Sequence, residues 1–360
     1  MFLFLLVLHS NATMATETKR LKLDTTYLVG LKSVSYNAIR AVLQGLPENL
    51  RKGCNADNVE TDLQNAAKTI FDDDLRTTIQ LPLDDGTTFT WILARPQATL
   101  RKFVAMSPAL RRVLGALADG ISFSTPLSLV HYNDEVTSGH LLAPVHSRSF
   151  TAFRFSFLEF RKLLSAQQLW FEYAILRNSV LDKVVGGASF VQRKLLHLFM
   201  TSTESFQSVG VQIDDLGHGP QVIFARNTNL IADMAATTEC LDFKGASGLK
   251  PCPKCANGVM KGSLSDADHP LPNPDNVLVE ITATTLRDFV PNTNEAVWES
   301  VDELKQMNNL YRDKRMSKEN FEFAQKACGL SFNSRGLLVD ERLRIYFKPL
   351  YVHTEDWSHV

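Results

Sequence analysis

The chain is short of three things, and each shortage narrows its class. It has only five cysteines in 360 residues, Cys54, Cys240, Cys252, Cys255 and Cys328. That odd, sparse set excludes a secreted disulfide framework and fits a reducing compartment. It has no excess charge of either sign: 38 Lys+Arg against 39 Asp+Glu leave a net −1. Nucleic-acid binders usually carry a basic footprint, so any such role must rest on local patches. It also has no apolar run of the ~20 residues a membrane helix needs, so no membrane partner is expected. Internal repeats are absent as well.

What is present points to a folded protein of about two domains. Hydrophobic residues make up 44% and charged residues 21%, a balance that excludes wholesale disorder. The 22 phenylalanines cluster between residues 150 and 200 and predict a dense core there. At the N-terminus, Phe2 to Leu8 form a short apolar run without a basic segment before it. Residues 1–13 read either as a signal-like segment or as a spurious start ahead of Met14. The first reading puts the protein, with its Asn11 sequon, on the secretory route. The second leaves it nuclear or cytoplasmic.

Residues 24–120 read as a smaller α/β region. Segments 78–83 and 88–93 flank Asp84-Asp85-Gly86, the pattern of a β-hairpin with a glycine-containing turn. Ser107-Pro108 offers an N-cap and a first-turn proline for a helix through Leu117. Arg101, Lys102, Arg111 and Arg112 around it are either a phosphate-facing patch or a solvated helix face, the ordinary fate of mixed surface charge.

From residue 127 the pattern changes. Segment 127–132 reads as a strand running into Asn133-Asp134-Glu135. Thr151, Phe153, Phe155 and Phe157 alternate as a second strand, and 169–176 reads as a third strand or a helix. Residues 180–200 read as a helix with an internal Gly186-Gly187. Segments 209–213 and 222–225 read as a strand pair, followed by Asp233 on a run of small residues. Residues 257–300 are loop-rich, with a proline-dense linker over 269–275. Residues 296–327 read as helical, and 337–340 with 343–347 as a closing hairpin.

Two groups carry candidate chemistry. Cys252 and Cys255, on the turn Lys250-Pro251-Cys252-Pro253-Lys254-Cys255, aim two thiolates at one point and suit half of a tetrahedral zinc site. Candidates for the other half are His359, Cys240, His269 and Cys328. A redox dithiol and two free structural thiols are the competing readings. Asp134 and Asp233 are isolated acids, each at the end of an apolar segment. Convergent carboxylates are what a metal-assisted phosphoryl-transfer site requires. The plain alternatives are a strand end for Asp134 and a helix cap for Asp233.

The run His131-Tyr132-Asn133-Asp134-Glu135, the stretch Phe153 to Glu159, and Phe224-Ala225-Arg226 followed by Ile231-Ala232-Asp233 together resemble transposon-derived proteins. So do the block from Phe243 to Cys255 and the closing Asp356-Trp357-Ser358-His359. Their order is similar to the catalytic cores of CACTA- and Plavaka-type cut-and-paste transposases. The resemblance covers residues 127–360, and residues 1–120 carry none of its motifs. It implies an α/β fold with an RNase H-like mixed sheet over 127–240, and an inserted C-x-x-C-containing region over 241–360. Asp134 and Asp233 would be the first two acids of a D-D-E triad holding Mg²⁺. Cys252, Cys255 and His359 would belong to the inserted metal motif with Zn²⁺, Asp356 opening its D-x-x-H, and DNA would be the partner. The triad's Glu is expected after that motif, and Glu355 precedes it. The expectation is therefore an ancestral DNA strand-cleavage and transfer enzyme, inactive as a truncated chain. The alternative is a non-catalytic, zinc-stapled module that binds nucleic acid or protein, and a third class is a lumenal protein directed by residues 1–13.

Overall fold

A five-stranded mixed sheet organises the structure. Its strands are β3 (Leu127–Val136), β4 (Phe150–Phe157), β5 (Phe171–Arg177), β8 (Ala225–Ala232) and β9 (His353–Glu355), in the spatial order β9-β8-β3-β4-β5. β4 runs antiparallel to both neighbours, while β8 pairs parallel with β3 and with β9. The computed structural model describes residues 74–136, 139–140, 143–144, 149–217, 219–265, 271–273, 277–282 and 285–355. The expectations for residues 1–13 and for His269, Asp356 and His359 lie outside them.

The phenylalanine alternation explains why β4 is a strand and which face is buried. Phe153, Phe155 and Phe157 share one face and are almost wholly buried. Phe155 meets Phe171, Phe199 and Phe206 at ring-centroid separations of 5.0, 5.2 and 5.9 Å. Phe199 comes from α3 (Gly187–Met200), the helix that covers this face. Its partners on β3 are His131, edge-on to Phe199 at 4.7 Å, and Asn133, whose Nδ2 donates to Gln192 Oε1 at 3.0 Å. Burial drives the His131 imidazole down to about 3, so it is a neutral core residue. The opposite face is more polar, with Tyr132 against Trp170 at 5.5 Å and Arg154 paired to Glu172 at 3.2 Å.

The hairpin β1 (Arg76–Pro82) and β2 (Thr88–Ala94) forms as its sequence predicts. Two helices follow, α1 (Pro96–Met106) and α2 (Pro108–Ala118), and Ser107 caps α2 by accepting from Leu110 N. The Trp91 indole donates to the Ile175 carbonyl at 2.9 Å, and Leu81, Trp91, Leu100 and Leu114 join the same core as Phe155. Residues 75–360 accordingly form one compact unit. Of the four cations near α2, two are neutralised: Arg101 by both carboxylate oxygens of Glu204 at 3.1 Å, and Arg111 by Asp215 at 3.3 Å.

Several elements differ from the sequence reading. The helix expected over 180–200 is broken at Gly186 and Gly187, both left-handed with φ of 97° and 58°, which glycine adopts without steric cost. The strand pair expected at 209–213 and 222–225 does form, as the small separate hairpin β6 (Val211–Ile213) with β7 (Gln221–Ile223) outside the main sheet. The central strand before Asp233 is the more polar β8. The helix expected over 296–327 is two, α5 (Asn294–Arg312) and α6 (Lys318–Cys328). No hairpin forms at 337–347: Leu337, Leu338, Leu343 and Phe347 instead fill a second core from turns.

That second core contains Trp298, Val301, Leu304 and Phe321 from α5 and α6 with Leu196 of α3 and Leu230 of β8. An ion cluster clips it to α3. Buried Asp340 lies 2.8 Å from His197 Nε2, 3.2 Å from Arg342 and 3.6 Å from Arg193. Burial alone would raise its pKa, but hydrogen bonds from Arg342 and His197 draw it down to about 2. A depressed carboxylate pKa contributes stability above its unfolded value and loses it as pH falls. Asp340→Ala should therefore cost on the order of 3 kcal/mol at pH 7, as breaking a buried pair does. The cost should shrink as pH falls from about 4 towards 2, read by urea unfolding. A pH-independent deficit would mean that packing alone is lost.

Candidate functional site: a carboxylate edge and a thiol turn

The first candidate site grows out of the parallel pairing of β3 and β8. Their register runs Leu230 with His131 and Ile231 with Tyr132. Carried two places further, it sets Asp233 opposite Asp134, on strands ~4.8 Å apart. Asp233 keeps an extended backbone (φ −63°, ψ 167°) while it opens the next helix, α4 (Met234–Cys240). Its carboxylate caps that helix, accepting from Ala236 N at 2.6 Å. The capping alternative thus holds alongside adjacency to Asp134, and one oxygen of the carboxylate makes the cap. Asp134 is half-buried on β3 and pairs with Ala152 of β4. By strand alternation it falls on the face of Tyr132, away from α3.

More acid gathers here than the sequence reading named. The Glu239 carboxyl is raised above its usual range, first by partial burial and then by the negative charges of Asp182, Asp233 and Glu135. Asp182 stands between β5 and α3, Glu135 beside Asp134 on β3, and Glu239 in the last turn of α4. The β5–α3 connection and α4 thus bring Asp182 and Glu239 close enough to interact, with Asp233 and Glu135 also acting on Glu239. Glu239 carried one legible signal, an acid six places after Asp233. Asp182 carried none, because its approach depends on the sheet. Among the described residues, no three His, Cys, Asp or Glu side chains form a ready metal cage.

The second candidate site is the thiol turn. Cys252 Sγ and Cys255 Sγ lie 3.4 Å apart. The turn is braced from outside by Ala256 N to the Val290 carbonyl at 2.8 Å and by Asn292 Nδ2 to the Pro253 carbonyl at 2.9 Å. Asn257, nearly fully buried, donates to the Val277 and Asp288 carbonyls and accepts from Val290 N. It pins three segments, a role its sequence context did not announce.

Of the four candidates for the missing ligands, the structure places two. Cys328 lines the same cavity of ≈180 Å³ as Cys252 and Cys255, together with Lys250 and Asn292. A glycine makes this approach: Gly329 is left-handed (φ +76°), and a Cβ there would overlap the Lys250 carbonyl oxygen. The Cys328 thiol is turned to the Gln325 carbonyl at 3.5 Å. Cys240 is elsewhere, buried beside Asn133 and pushed up to about 12 by that burial. Burial, then Cys252, pushes the Cys255 thiol up to about 11, whereas a redox dithiol works through a thiolate near neutral pH.

No protein-family model matches the chain, and no curated protein is significantly similar to it. Among the described residues no helix is long and apolar enough to cross a membrane.

Proposed function

We propose that this chain is an RNase H-like, transposase-derived protein whose sheet edge holds divalent cations for phosphodiester chemistry on DNA. The observation that carries the reading is the parallel pairing of β3 with β8, whose register, extended two places past Ile231 with Tyr132, brings Asp233 at the start of α4 level with Asp134. The strand order β9-β8-β3-β4-β5, with β4 alone antiparallel, supports it as the arrangement expected of such a sheet. The donor set fits a hard cation: carboxylate oxygens are the ligands Mg²⁺ takes. Burial and, after it, the charges of Asp182, Asp233 and Glu135 raise the Glu239 carboxyl, and a bound cation relieves the charge part of that effect. A divalent cation there supplies Lewis acidity to a phosphodiester. Asp134 and Asp233 supply its anionic oxygens, and Asp233 can do so while one oxygen caps α4. Cation dependence of stability and of plasmid nicking, compared between wild type and Asp134 or Asp233 variants, tests the reading.

The thiol turn adds a structural zinc to the same proposal. Two sulfurs on a braced turn, with Cys328 on the wall of the same cavity, fit a soft cation better than a lone pair of thiols. Purified protein should carry about one zinc per chain, falling to near zero in Cys252→Ser/Cys255→Ser by atomic emission. Wild-type protein without zinc would leave free structural thiols, the plainer alternative.

A further inference from the structure

The outer side of α3 and the segment that follows Phe332 carry a charge surplus that the fold itself does not consume. Arg193 and Arg342 converge on one carboxylate, Asp340, and Arg335 lies close enough to act on Arg193. Lys194, next to Arg193 on α3, sits over the Phe190 ring at 5.4 Å. The other nearby acids are already engaged: Glu341 with Lys305 at 3.1 Å, Asp302 with Arg344, and Asp242 with the Ser189 hydroxyl and Asn333 Nδ2. Among the described residues, Lys194 and Arg335 have no ion-pair partner. The crowding is real enough to be felt. Arg193 is lowered by burial, with Asp340 opposing and the positive charges of Arg342 and Arg335 lowering it further. Arg335 and Arg342 are exposed. The α1–α2 cations differ in that two of the four, Arg101 and Arg111, are each neutralised by an acid, and only Lys102 and Arg112 are left without an ion pair among the described residues.

The surplus has a direction. Arg335 packs over the start of α3, where its Cβ would nearly touch a side chain at Gly186. Asn333 Nδ2 donates to the Gly186 carbonyl at 2.9 Å. Gly186 follows four residues after Asp182, one of the acids that act on Glu239. The other end of the patch lies at His197, whose Nε2 is 3.3 Å from Arg342. Eleven residues of helix span roughly 16 Å, the length of several phosphates along one strand.

Resting on the DNA reading above, we infer that Arg335, Arg342, Arg193 and Lys194 form a track for the phosphate backbone of a DNA duplex, leading along α3 to the carboxylate edge. Cations at the strand ends and a basic track beside them divide the work: one holds the reacting phosphodiester, the other holds its neighbours. The contacts are to phosphates, so they position the duplex without reading its sequence.

The test is binding of the full chain to a short fluorescein-labelled duplex of arbitrary sequence, titrated in salt from about 50 to 200 mM, where phosphate contacts dominate the salt dependence. Arg335→Gln/Arg342→Gln should flatten the slope of log K against log salt by about 1.8, or 0.9 for each contact. Lys102→Gln/Arg112→Gln, beside the neutralised cations, should leave the slope unchanged. Arg342 helps hold Asp340, so Arg335→Gln alone, where no ion pair is lost, guards against a folding artefact and should flatten the slope by about 0.9. Wild-type binding with an unchanged slope in the arginine variants overturns the track and leaves the DNA reading standing. An absence of wild-type binding at the lowest salt, with Mg²⁺ present, overturns that reading and the track with it.

Discussion

Asp134→Asn and Asp233→Asn should each abolish the stabilisation that Mg²⁺ or Mn²⁺ gives this protein, while the metal-free fold survives intact. The choice of asparagine separates two roles that Asp233 plays at once. Asparagine caps a helix about as well as aspartate does, so the Ala236 N–H keeps its acceptor and α4 keeps its start. Only the charge goes. Asp233→Ala removes cap and charge together and should cost about 1 kcal/mol even without metal. A cation at a hundred times its dissociation constant stabilises the wild type by about 2.7 kcal/mol, and neither asparagine variant should show that gain. Without metal, Asp233→Asn should equal or slightly exceed the wild type, because it removes one of the negative charges that act on Glu239, and Asp134→Asn should stay close to the wild type. Nicking of supercoiled plasmid should follow the same ranking. A wild type indifferent to divalent cations would sink the carboxylate site. So would an Asp233→Asn protein that responds as the wild type does, which would reduce Asp233 to a cap.

How much of this could be read from the chain depends on which residues point inward. β4 was legible because Phe153, Phe155 and Phe157 alternate, and a period of two has one structural meaning. β8 was not, because Asn227-Thr228-Asn229 looks like a loop. The structure accommodates it with an irregularity in register, and Thr228 Oγ1 bonds the Leu129 carbonyl at 2.8 Å. The residues 337–347 misled for the converse reason. Leucines and phenylalanine at short spacing fill a core as well from turns as from strands, and periodicity over so few residues cannot separate the two. Asp134 near the end of β3 and Asp233 just past β8 could be picked out because each acid follows an apolar segment. Glu239 left only its spacing from Asp233 as a trace, while Asp182 and the cavity wall at Cys328 come from packing between distant segments that nothing local encodes.

The half-buried Asp242 should make the wild type less stable at pH 8 than its asparagine variant, by a few kcal/mol. Asp242 lies where α4 ends and the second core begins. It accepts from the Ser189 hydroxyl of α3 and from Asn333 Nδ2 at 3.1 Å, so it joins α3 to the segment that carries Arg335. Burial pushes its carboxyl up to about 7, although both hydrogen bonds work the other way. A folded-state pKa raised from 3.8 means that the group's stabilising proton is fully held below about pH 4 and released as pH rises through about 7. Each unit of that difference is worth about 1.4 kcal/mol, so the charged form is costly at pH 8. Asparagine imitates the protonated acid. Its oxygen accepts from Asn333, and its amide donates to Ser189 Oγ, which has a lone pair to spare after accepting from Leu337 N. The backbone tolerates the change, because Asp242 is left-handed (φ 54°) and asparagine visits that region readily. His197 acts with the opposite sign. Burial lowers its pKa, so its contribution is lost as pH falls below about 6.5. Urea unfolding at pH 5 and pH 8 should therefore show the two proteins close together at pH 5 and the asparagine variant ahead at pH 8. An equal gap at both values would mean that the substitution changes packing, with no buried charge relieved. An asparagine variant weaker at pH 8 would mean that the carboxylate itself holds α3 and the second core together.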